Sequence, residues 1–62
     1  MDIVRSTESG VEVVGIVGDF DTPDVPSFEA VIAAVIGAGA PRVVVDAARV
    51  RFVGSTALGS LV

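Results

Sequence analysis

The sequence predicts an α/β fold, a β-hairpin followed by a β-α-β crossover and the start of a second helix, within one small domain spanning residues 1–62. Three observations carry that prediction. Two valine-rich runs flank Glu8-Ser9-Gly10, a proline-led stripe of apolar residues recurs at the helical period, and a short run of β-branched residues follows it. The chain has 62 residues and neither cysteine nor histidine, so disulfides and the usual zinc ligand sets are excluded as sources of stability.

Each element has its own signal. Residues 2–7 and 11–18 read as the strands of the hairpin, with Val11-Glu12-Val13 alternating as a half-buried strand does. The second strand becomes continuously apolar through Val14, Ile16 and Val17, the pattern of a strand covered on both faces. Gly18-Asp19-Phe20-Asp21-Thr22-Pro23 ends it. Asp24 is the expected N-cap of the helix, and Pro26 falls in the first turn, where a missing N–H costs nothing. Val25, Phe28, Ile32, Val35 and Ile36 form the stripe predicted to face the sheet. The opposite side holds Ala30, Ala33 and Ala34 with Glu29 as its one charge, a face expected to be covered.

Gly37, Gly39 and Pro41 stop the helix, and Arg42-Val43-Val44-Val45-Asp46 predicts a short buried strand. Strand, helix and strand with short connections form a right-handed crossover, so the second and third strands are expected to be parallel. Beyond Ala47 a connecting segment is expected, with Val50, Phe52 and Val53 as apolar anchors. A second helix starts near Ser55, where Leu58, Leu61 and Val62 begin an apolar stripe with no stop signal, as though the domain were interrupted.

Composition narrows the function classes. Hydrophobic residues make up 52% of the chain and the mean hydropathy is +0.80, which invites a membrane interpretation. The longest apolar run, Ala30 to Pro41, is nevertheless about 12 residues against the roughly 20 that a bilayer span requires. No basic, apolar leader is visible at the N-terminus, and a cytoplasmic chain without membrane insertion is expected. With a net charge of -4 and four scattered arginines, the chain lacks the footprint of a nucleic-acid binder.

Ser55 carries the most informative position. As the first polar residue of a helix it reads as an N-cap, and the same position suits a phosphoacceptor, because a helix N-terminus offers free N–H groups. Gly18-Asp19-Phe20-Asp21, the proline-started helix, Val43-Val44-Val45-Asp46 and Val50-x-Phe52-Val53-x-Ser55-Thr56-x-Leu58-Gly59 together resemble the STAS domain of bacterial anti-sigma factor antagonists. The resemblance covers about residues 11–62 and implies the N-terminal half of such a domain, with later strands and helices missing.

The resemblance implies a phosphorylation site at Ser55 and a partner-binding surface of Asp21, Asp46, Ser55 and Thr56, the two acids lying at the sheet end around the serine. Its implied partner is an anti-sigma factor of the serine-kinase type. Two positions depart from the pattern: Gly54 stands where the family usually has aspartate, and Ala57 where it usually has glycine. Loss of the adjacent carboxylate favours an alternative, a STAS-like structural subunit of a membrane transport assembly. Asp21 and Asp46 also read as ordinary strand-end turn and cap residues. An enzyme is the third hypothesis, with Asp19, Asp21 and Asp46 holding a metal beside the serine, and it lacks a histidine base and a glycine-rich phosphate loop. No cofactor or metal is expected, and the unpaired side of the third strand predicts self-association.

Overall fold

The computed structural model describes residues 1–61. Strand β1 (Asp2–Glu8) and strand β2 (Val11–Phe20) form an antiparallel hairpin. The turn contains only Ser9 and Gly10, both at positive φ (51° and 79°), the two-residue geometry whose twist matches that of the strands it joins. A single 3-10 turn (Thr22–Asp24) leads into helix α1 (Val25–Gly37), and strand β3 (Val43–Val53) returns parallel to β2. Helix α2 (Ser55–Ser60) follows. The sheet order is β1-β2-β3, so the hairpin and the parallel crossover share β2 as the central strand.

The core lies between one face of the sheet and α1. Val14, Ile16 and Phe20 of β2 are buried against Phe28 and Val35 of α1, with Ala57 of α2 closing one end. Phe20 and Phe28 pack with ring centroids 5.1 Å apart at a tilt of 52°, within the favourable range for aromatic pairs. Val25, Val31, Ile32, Val43, Val50 and Val53 are half-buried around this cluster.

Five sequence expectations change. Strand β2 runs on to Phe20, so Phe20 belongs to the core and not to the connecting turn. Strand β3 is not a short buried strand: it spans 11 residues, absorbs the expected connecting segment, and leaves Val44 and Val45 exposed because no element flanks its outer edge. Phe52 is 54% exposed and anchors nothing, since it lies opposite Asp19 whereas Val50 and Val53 lie opposite Gly18 and core Phe20. Ile36, about 100° round the helix from Val35, meets no covering element and is exposed. Ala30, Ala33 and Ala34, the face expected to be covered, are likewise exposed. Val62, assigned to the stripe of the second helix, lies outside the described residues.

Strand β3 keeps pace with β2 only by bulging. Gly15 faces Asp46 and Val17 faces Arg49, so three steps along β3 match two along β2, and a second shift falls between Gly18 and Asp19. The parallel pairing is closed at its two ends by Glu12 N–H to Arg42 O (3.0 Å) and Gly54 N–H to Phe20 O (2.9 Å).

Candidate functional site

The C-terminal ends of the parallel strands β2 and β3 bring two loops together. From β2 the chain passes through Asp21 into the 3-10 turn, and from β3 it passes through Gly54 into α2. Asp21 caps the turn: its Oδ1 accepts from the Thr22 N–H at 2.8 Å, and Asp24 Oδ2 accepts from the Asp21 N–H at 3.1 Å. This reciprocal arrangement satisfies backbone donors that the turn itself leaves free. The N-terminal ammonium approaches Asp24 Oδ1 at 3.9 Å, adding a positive group to an otherwise acidic corner.

Gly54 is buried directly against the Asp21 side chain. A Cβ at residue 54 would overlap Asp21 Oδ1 and press on its Cγ, so only glycine fits there while Asp21 holds its cap. A side chain at the position that carries aspartate in the resembling family therefore requires the Asp21 carboxylate from the neighbouring loop to leave its cap. The backbone of Gly54 is extended, at φ -68° and ψ 153°, so the restriction is steric and not conformational.

Gly54, and not Ser55, is the N-cap of α2. Its carbonyl accepts from the Leu58 N–H at 2.9 Å, and no side chain caps this end. Ser55 is the first helical residue, and both Ser55 and Thr56 are exposed, their side chains free to meet a partner. Ala57 is fully buried, which ties the first turn of α2 to the core.

Asp21, Ser55 and Thr56 thus share one end of the sheet. Asp46 does not join them. It sits opposite Gly15, five β2 positions before Phe20, which is roughly 17 Å along the strand at about 3.3 Å per residue. Its Oδ1 accepts from the Ala48 N–H at 2.9 Å, inside the bulge. Asp19 is engaged elsewhere again, with its carboxylate 3.6 Å from Arg51 Nε on the exposed side of the sheet. Among the described residues no three acidic side chains converge as a metal site would require.

Nothing in the sequence alone ties Gly54 to Asp21. That contact joins residues 33 positions apart and follows only from the parallel pairing that places the ends of β2 and β3 side by side. Among the described residues, no helix is long and apolar enough to cross a membrane. No family model, curated protein or solved structure matches the chain.

Proposed function

We propose that the chain is a non-enzymatic regulatory binding module of the anti-sigma factor antagonist type, acting in the cytoplasm by docking through Asp21, Ser55 and Thr56. The observation that supports this most is the exposed Ser55-Thr56 pair, held by buried Ala57 and by Gly54 against the Asp21 cap. A hydroxyl pair beside a fixed carboxylate offers a partner both donors and acceptors on a rigid base, and the element order matches that of the family it resembles. Asp46 falls outside this surface.

The partner of this reading is an anti-sigma factor of the serine-kinase type. Phosphorylation of Ser55 adds about -1.5 to -2 charge next to Asp21 and Asp24, on a chain already at -4, and opposes docking. Calorimetric titration of such a kinase with wild type, Ser55→Ala and Ser55→Asp tests it. Ser55→Ala is expected to bind within about twofold of wild type, and Ser55→Asp about tenfold more weakly, the scale of a like-charge contact at an interface. No binding by the wild-type chain refutes the regulatory reading.

Gly54 favours a second reading, a structural subunit of a membrane transport assembly, because the carboxylate that usually adjoins the phosphorylated serine is missing. In that case Ser55→Asp binds its partner as wild type does.

A further inference from the structure

We propose that the outer edge of β3 pairs antiparallel with the same edge of a second copy of this chain, about a two-fold axis between Ala47 and Ala48. This inference concerns a surface well away from Ser55 and is independent of the regulatory reading. Strand β3 has 11 residues, is hydrogen-bonded on one side only, and is exposed over most of its length. Such an edge offers a row of backbone groups to another strand.

The occupant is indicated by the order of side chains. Val45-Asp46-Ala47-Ala48-Arg49-Val50 is an inverted repeat in charge and size. Rotated about its midpoint, it sets Asp46 opposite Arg49 of the second copy, Arg49 opposite Asp46 of the second copy, and Val45 opposite Val50, with small alanines at the centre. Charges on an edge strand ordinarily oppose pairing with another chain. Here they favour one register with one partner, because directly opposed cross-strand residues of opposite sign attract and those of like sign repel.

The bulge makes this register possible. In a regular strand, residues three apart lie on opposite faces, and a two-fold pair could not bring Asp46 and Arg49 together. In β3 the bulge sets Asp46 opposite Gly15 and Arg49 opposite Val17, two β2 positions apart and therefore on the same face. Both side chains are also available. The ion pairs among the described residues are Met1 with Asp24, Arg5 with Glu12 and Arg51 with Asp19. Asp46 uses one oxygen to accept from the Ala48 N–H, which takes that donor out of the edge, and leaves the other oxygen for an arginine. The net charge of -4 opposes association at long range, but at physiological ionic strength it is screened beyond about 8 Å, whereas opposed cross-strand groups are closer than that.

Sedimentation equilibrium of the 62-residue chain across a concentration series tests the proposal. Wild type is expected to show a monomer–dimer equilibrium and no larger species. Arg49→Asp and Asp46→Arg each place like charges opposite one another at both symmetry-related positions, and each is expected to weaken association at least about tenfold. An equimolar mixture of the two variants restores opposite charges at both positions and is expected to regain wild-type affinity as a heterodimer. Arg49→Lys keeps the charge and stays within about threefold. Circular dichroism checks that each variant is folded. Should Asp46→Arg unfold for want of its Ala48 contact, the contrast between Arg49→Asp and Arg49→Lys decides alone. A wild-type monomer at about 500 µM, an open series of aggregates, Arg49→Asp associating as wild type does, or a mixture no tighter than its components overturns the proposal.

Discussion

Gly54→Ala is the substitution through which the joining of the two loops is most sharply tested. The added methyl finds Asp21 Oδ1 within its own volume, with Asp21 Cγ 3.0 Å and Cα 3.6 Å away. The backbone of residue 54 is already in a region open to alanine, so the whole cost is the displacement of the Asp21 carboxylate. Moving that carboxylate breaks its bond from Thr22 N–H and leaves only the Asp21 N–H to Asp24 Oδ2 half of the reciprocal cap. A lost cap costs about 1 kcal/mol, and because the exposed Asp21 carboxylate can swing into solvent, the displacement adds little to it, for a total of about 1 kcal/mol.

Urea denaturation reads this as a fall in midpoint at constant slope. The control is the Asp21→Ala background, which already lacks both the cap and the obstructing oxygen. There Gly54→Ala is expected to cost less than about 0.5 kcal/mol, a coupling of about 0.5–1 kcal/mol between the two positions. If Gly54→Ala is neutral in the wild-type background, or costs the same in both, the contact between the two loops does not hold Asp21 in place.

The other expectations concern the core and the serine. Phe20→Ala, at a fully buried site in ring contact with Phe28, is expected to cost about 3–5 kcal/mol and Phe52→Ala, 54% exposed, less than about 1 kcal/mol; the reverse order in chemical denaturation contradicts the placement of Phe20 in the core and Phe52 on the uncovered face. Ser55→Ala is expected to leave stability within about 0.5 kcal/mol of wild type, because Gly54 and not Ser55 is the cap of α2. Kinase treatment is expected to modify Ser55 slowly or not at all, since Gly54 supplies no carboxylate beside it; rapid stoichiometric phosphorylation seen by mass spectrometry rejects this.

The elements with strictly local signals are legible in the sequence. The hairpin follows from Ser9-Gly10 between two valine-rich runs, and the crossover from a proline-led stripe followed by glycines, one of which, Gly39, takes φ 84° just past the helix. Strand β3 is less legible because its bulges shift the alternation on which strand recognition rests. Ala47-Ala48 looks like a linker, yet it is the bulge itself, and Phe52 looks like a core residue beside Val50 until the register shift between them sets it opposite Asp19, on the other face. Phe20 is hidden by its neighbours Asp19 and Asp21, two polar residues that mark a turn in most contexts.

The candidate site divides along the same line. Ser55 emerges from its place at the start of a helix, whereas Thr56 and Asp21 enter only as what the family resemblance implies. The separation of Asp46 depends on the length of β3, and the exclusion of a side chain at Gly54 depends on a contact across the sheet end. Neither is visible without the parallel pairing of β2 with β3.

The central claim, that the sheet end formed by Asp21, Ser55 and Thr56 is the docking surface, is tested most directly by amide chemical-shift mapping of the labelled chain on addition of an anti-sigma kinase. The account predicts the largest changes at Asp21–Asp24 and Gly54–Ala57, with Val4, Ser6 and Val13 on the uncovered sheet face unmoved. Changes confined to that sheet face, with Ser55 and Thr56 silent, would contradict it.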